Sequence, residues 1–163
     1  MTGVIEARLA ELGYKLPPVT APVAAYVPAV LDGDRVWVSG QLPFVAGALP
    51  VTGRVGGSGD GMVDPAEAAA LARICALNGL AAARSVLGDL DRVVRVIKVV
   101  GFVASDPSFT GQPQVINGAS EFLGEVFGPA GVHARSAVGV VALPLGSPVE
   151  VEMVLACRPL DPG

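Results

Sequence analysis

Arg135, Glu150 and Glu152 are charges set in stretches that otherwise avoid charge. Arg135 heads a run to Leu143 with no other ionisable side chain, and Glu150 and Glu152 share a strand face with Val154 and Ala156. Charged groups in such apolar surroundings are usually paired or functional. A guanidinium offers a planar fork that matches a carboxylate, so Arg135 is a candidate anchor for a small acid. A structural ion pair is the alternative. If the two stretches form a hairpin turning at Pro144–Ser147, Glu150 faces Val141. Arg135 then lies six residues further along, roughly 20 Å away at the strand rise. Pairing within one simple hairpin is thus out of reach, and a shared site is expected across a subunit boundary.

Most other chemistries lack their parts. The single histidine, His133, excludes a His-rich metal site, and Cys75 and Cys157 have no zinc spacing. There is no Gly-x-Ser-x-Gly nucleophile elbow, and nothing places a serine and an acid beside His133. The glycine run Gly56-Gly57-Ser58-Gly59-Asp60-Gly61 lacks the Gly-Lys-Ser/Thr of a P-loop and the spacing of a dinucleotide fingerprint, and reads as a flexible loop. No metal and no cofactor are expected. The two cysteines read as buried thiols.

The elements that must position these residues follow from periodicity and punctuation. Residues 1–13 predict a short helix, with Ile5, Leu9 and Leu12 on one side and Gly13 to end it, followed by a Pro-rich stretch over 16–22. Strands are expected at Tyr26–Leu31 and Arg35–Ser39 around the turn Asp32-Gly33-Asp34. Residues 43–63 read as a loop. Asp64-Pro65-Ala66-Glu67 predicts a helix start with a capping box, and the helix should run to Leu87 and stop at Gly88. Val93–Val103 reads as a central strand, Pro113–Phe127 as a second long helix ended by Gly128-Pro129, and 135–143 with 148–157 as a closing hairpin. The order β-β-α-β-α-β-β predicts an α+β fold, with one mixed sheet and both long helices on one face.

The chain has 163 residues, a net charge of −4, 52% hydrophobic and 16% charged residues. That length suits a single domain over 1–163, with 1–21 as an N-terminal helix and Pro-rich extension and 22–158 as the core. Lys and Arg are scattered, which argues against nucleic acid as a partner. No run approaches the length of a bilayer span without Gly, Pro or polar breaks, and Glu6, Arg8 and Glu11 interrupt any signal-peptide core, so a cytoplasmic protein without membrane contact is expected. The surplus apolar surface, including the second face of the sheet, points to copies of the chain packing together.

Val38-Ser39-Gly40-Gln41-Leu42-Pro43 resembles the Ser-Gly-Gln-Ile/Leu-Pro signature of the RidA family, also called YjgF or endoribonuclease L-PSP. Ala134-Arg135-Ser136-Ala137-Val138, Leu143-Pro144 and Val149-Glu150-Val151-Glu152 resemble its closing signature at the same spacing. Gly101-Phe102-Val103 and Asn117 also fit, and the resemblance spans about residues 22–158. It implies a chorismate-mutase-like fold and a homotrimer whose sheets pack into a central barrel, with sites in the clefts between subunits. It further implies hydrolysis of reactive enamines and imines, such as 2-aminoacrylate, to 2-oxo acids and ammonia. Arg135 would hold the carboxylate of the 2-imino or 2-oxo acid, and Glu150 would orient or activate water. Tyr26, Ser39, Gly40 and Asn117 would line the pocket, with Ala137 at a position where the deaminase branch usually has cysteine. His133 replaces the branch's usual proline. Two other functions are weighed against this one. A non-catalytic carboxylate-binding or regulatory trimer is favoured by Ala137, and ribonuclease activity is disfavoured by the acidic balance and the lack of a histidine pair.

Overall fold

The computed structural model describes residues 3–19 and 25–159. The last part of the Pro-rich stretch, including Ala21-Pro22, lies outside them. The first helix, α1, spans Val4–Glu11 and buries Leu9, with Gly13 just beyond its end. Its backbone amides at Val4 and Ile5 donate to the Asp91 carboxylate at 2.7 and 2.8 Å, a remote cap for groups that have no partner inside the helix.

Strands β1 (Ala29–Asp32) and β2 (Arg35–Gln41) form the expected hairpin, pairing Asp32 with Arg35 across Gly33-Asp34. Gly33 takes φ +58°, the left-handed geometry a two-residue turn needs. The first strand is shorter than its sequence suggests, and Tyr26 lies in a bend before it. Residues 43–63 contain two short parallel strands, β3 (Arg54–Val55) and β4 (Met62–Val63), joined by the glycine run.

The long helix α2 spans Pro65–Leu87. Asp64 Oδ1 accepts from the Ala66 amide at 2.8 Å, Pro65 fills the first helical position, and Gly88 ends the helix at φ +79°. Among the described residues the cap is made by Asp64 alone, without the expected return from Glu67. This helix is long and apolar enough to cross a bilayer, yet its apolar side chains face the sheet and the next helix. Strand β5 (Val93–Ala104) leads through a turn at Asp106 to α3 (Gln112–Phe127), and α3 leads to β6 (Ala134–Val140). Strand β7 (Val149–Cys157) follows a 3-10 turn at Pro144–Gly146.

The closing hairpin is not formed. The sheet order is β1-β2-β7-β5-β6: β6 lies at the edge, parallel to β5, and β7 runs antiparallel between β2 and β5. The reason is the β5-α3-β6 crossover. A strand that returns through a helix pairs parallel beside the strand it left, which leaves the centre of the sheet to β7. Glu150 therefore pairs with Phe102 rather than facing Val141.

Both long helices cover one face, as expected. Val149, Val151, Met153, Leu155 and Cys157 point beneath them into the core with Val36, Leu80, Val99, Ile116 and Phe122. Cys75 and Cys157 are buried free thiols, and burial followed by the nearby Glu150 charge pushes the Cys75 thiol well above its ordinary range. On the opposite face no described element lies over the sheet. There Trp37 is 53% exposed, Val30 49% and Val138 45%, side by side with Val154, Val100 and Phe102.

Candidate active site

The pairing register places each candidate residue on one face or the other, because directly paired residues point the same way. Arg135 pairs with Val99, whose side chain is in the core, so its guanidinium extends on the helix side. Nη1 donates to Asn117 Oδ1 at 2.7 Å and to Ser120 Oγ at 3.2 Å, and Nη2 donates to the Pro113 carbonyl at 3.3 Å. Asn117 and Ser120 are three residues apart on α3 and share a face. Ala137 pairs with Gly101 on the same side of the sheet and packs against the core edge. Among the described residues no carboxylate forms an ion pair with Arg135. Its hydrogen-bond partners among the described residues are all neutral.

Glu150 belongs to the other face. It pairs with Phe102, three residues beyond Val99 on β5, and lies two strands from β6. The Cα atoms of Arg135 and Glu150 are therefore about 14 Å apart, from a 3.3 Å rise and a 4.8 Å strand spacing, with side chains on opposite sides of one sheet. Within one chain the two do not meet.

Gly40 does meet Glu150. A Cβ built on Gly40 would lie 1.9 Å from Glu150 Oε1, so the carboxylate occupies the space a side chain would take. The β2 bulge between Val38 and Gln41 brings the backbone that close. Glu150 is half-buried, and its carboxyl is raised above the usual carboxylate range by burial, with a smaller push from the Glu152 charge on the same face. A carboxylate raised in this way is a stronger proton acceptor once ionised.

Ser39 Oγ donates to the Val27 carbonyl at 2.6 Å, and its amide donates to Pro28, which ties the Tyr26 segment to β2. The Ser39 hydroxyl is thus committed locally. Tyr26 is exposed and borders, with Gly40, Gln41, Phe44 and Asn78, a cavity of ≈ 400 Å³. Asn78 shapes its wall by donating to the Leu42 and Phe44 carbonyls at 3.0 and 3.1 Å.

The candidates fall into two clusters, Arg135–Asn117–Ala137 and Tyr26–Ser39–Gly40–Glu150. Ser120 and the Pro113 carbonyl join the first without having been singled out as site groups. The sequence signal for Ser120 is its i+3 spacing from Asn117. Among the described residues no group of three His, Cys, Asp or Glu side chains converges as a metal site.

Residues 6–156 match the family model described as "YjgF/chorismate_mutase-like, putative endoribonuclease". The chain belongs to this family. The YjgF relatives include protein TCP17 of Trypanosoma cruzi, 46% identical over a 157-residue alignment and covering 94% of each chain. Among solved structures, Atu1372 of Agrobacterium tumefaciens, described as of unknown function, is 45% identical with a TM-score of 0.83, covering 94% of this chain and 92% of that one. A "putative endoribonuclease" of Shewanella oneidensis MR-1 is 30% identical with a TM-score of 0.88, covering 94% and 99%. The RidA/YjgF resemblance and the mixed chorismate-mutase-like α+β fold both hold.

Proposed function

We propose that the protein hydrolyses reactive imines and enamines of small 2-amino acids to 2-oxo acids and ammonia, in a cleft between subunits of a homotrimer. The observation that carries this reading is the Arg135 guanidinium, held by neutral groups of α3 and lacking an acid partner among the described residues. A cation kept in that state at a sheet edge suits the carboxylate of a small 2-imino acid. The family resemblance supports the same roles.

The reaction needs little more than placement. The imine carbon is already electrophilic, so water can add to it once both are held in line. Starting from the protonated imine, Glu150 takes a proton from that water as the C–O bond forms, giving a neutral carbinolamine. It returns that proton to nitrogen, then takes up the hydroxyl proton as the C–N bond breaks, releasing ammonia and leaving the carbonyl. A single acid–base group of this kind contributes about 10²- to 10⁴-fold. Arg135 and Glu150 lie on opposite faces of one sheet, so a complete site would take Arg135 from one copy and Glu150 from a neighbour.

The test is hydrolysis of imino acids generated in situ by an amino-acid oxidase. The wild-type protein should accelerate loss of the imine, and Arg135→Ala should abolish the acceleration. No acceleration over a panel of imines would overturn the enzymatic reading. Ala137 favours a second reading, binding without turnover. Arg135-dependent binding of 2-oxo acids with no imine consumed would decide for it.

A further inference from the structure

Ser120 and His133 carry no role in the reaction above, yet both are wired to Arg135. The Gly131 carbonyl can only accept, so its 2.6 Å contact with His133 Nδ1 puts the ring proton on Nδ1. In the neutral ring Nε2 is then a lone pair, and at 2.9 Å it accepts the Ser120 hydroxyl. With its proton committed to His133, Ser120 Oγ turns its lone pairs to Arg135 Nη1. Donation thus runs one way, from Arg135 through Ser120 and His133 to the Gly131 carbonyl.

This wiring decides which guanidinium donors remain. Both N–H groups of Nη1 are directed at Asn117 and Ser120, and one of Nη2 at Pro113. Of the five donors, Nε–H and the second Nη2–H have no partner among the described residues. They sit on neighbouring nitrogens, which is the pair that forms a side-on fork for a carboxylate.

We propose that Ser120 and His133 are positioning residues that lock the Arg135 fork in the orientation that receives the substrate carboxylate. This rests on Arg135 being the carboxylate anchor. Without the Ser120 contact, Nη1 keeps only Asn117, and the planar group is less restrained when the ligand arrives. Ordering it is then a cost of binding. The carboxylate is gripped alike before and during the reaction, so the loss falls on KM and not on kcat.

The experiment measures 2-oxobutyrate affinity by calorimetry beside steady-state imine hydrolysis. Ser120→Ala and His133→Phe should each weaken 2-oxobutyrate binding and raise KM about three- to tenfold, as expected for one side chain left to be immobilised on binding. Their kcat should stay within about twofold. Ser120→Thr keeps the hydroxyl, and His133→Gln keeps an acceptor for it, so both should bind nearly as wild type. In an Arg135→Lys background, Ser120→Ala should cost nothing further, because the fork it orients is gone. Wild-type affinity in both Ser120→Ala and His133→Phe would overturn the proposal while leaving Arg135 as anchor. An equal loss in the Arg135→Lys background would overturn it too, marking Ser120 as merely structural. Wild-type protein that binds no 2-oxobutyrate, or Arg135→Ala protein that binds it unchanged, would overturn the anchor itself and this inference with it.

Discussion

Gly40 has no room for a side chain because Glu150 already fills the space. The obstructing atoms are the far end of a flexible side chain, so Gly40→Ala should fold and push the carboxylate aside. The expected result is a melting temperature within a few degrees of wild type and a rate of imine hydrolysis lower by about 10²-fold, the effect of misplacing a reacting group by an ångström. A variant with wild-type turnover would show that Glu150 needs no fixed place. Glu150 also makes a pH prediction. Its carboxyl is raised by burial and then by Glu152, so the folded state holds the proton more tightly than the unfolded chain. Stability from this group is fullest below the ordinary carboxylate range and falls as pH rises through the raised value. Glu150→Gln should therefore melt higher than wild type at pH 7, with the gain vanishing in acid, while turnover is lost. A lower melting temperature at pH 7 would contradict this. Arg135 and Glu150 were legible in the sequence as charges among apolar neighbours. The Ser120 and His133 connection was not, because it depends on how α3 lies over β6, and no local pattern encodes that.

At the scale of elements, the helices announced themselves through punctuation. Asp64-Pro65 and Gly88 bound α2 where the caps predict, and Gly128 ends α3. The strands could be found but not ordered. β6 and β7 are both short of charge and separated by a turn, and that pattern suits adjacent hairpin strands as well as strands divided by a third. Only the β5-α3-β6 crossover settles the order, by claiming the place beside β5. The site depends on α3 lying close, and Gly118 allows it. A Cβ there would stand 1.9 Å from the Ala69 carbonyl oxygen of α2, a backbone atom with little freedom to move. Helix propensity alone favours alanine over glycine by about 1 kcal/mol. Overpacking between the helices costs about 1–3 kcal/mol, so Gly118→Ala should be net destabilising in urea by up to about 2 kcal/mol. It should also weaken 2-oxobutyrate binding, since α3 carries Asn117 and Ser120. A stabilised variant would show that the two helices part freely.

The whole molecule presents a sheet with one face under helices and the other lined by Val30, Trp37, Val138 and Val154. The sequence anticipated this imbalance from its excess of apolar residues over what two helices can cover. A patch of this kind is costly to leave in water and suits packing against identical copies. If a trimer forms on it, light scattering should report three chains in solution, and Trp37→Glu should lower that mass and the activity together. If the site is divided between subunits as proposed, Arg135→Ala and Glu150→Gln should each be inactive alone, because each removes one half of every cleft. Unfolded together in equal amounts and refolded, they should assemble into mixed trimers. A cleft drawing Arg135 from one chain and Glu150 from the next is intact when the first chain is the Glu150→Gln variant and the second the Arg135→Ala variant. Random assembly makes that arrangement at about one interface in four, so about a quarter of wild-type activity should return. If both residues act from the same chain, no mixture can rebuild a site, and the refolded sample stays inactive. Recovery near a quarter would therefore locate the chemistry between subunits. Its absence from trimers shown by mass spectrometry to be mixed would rule that division out.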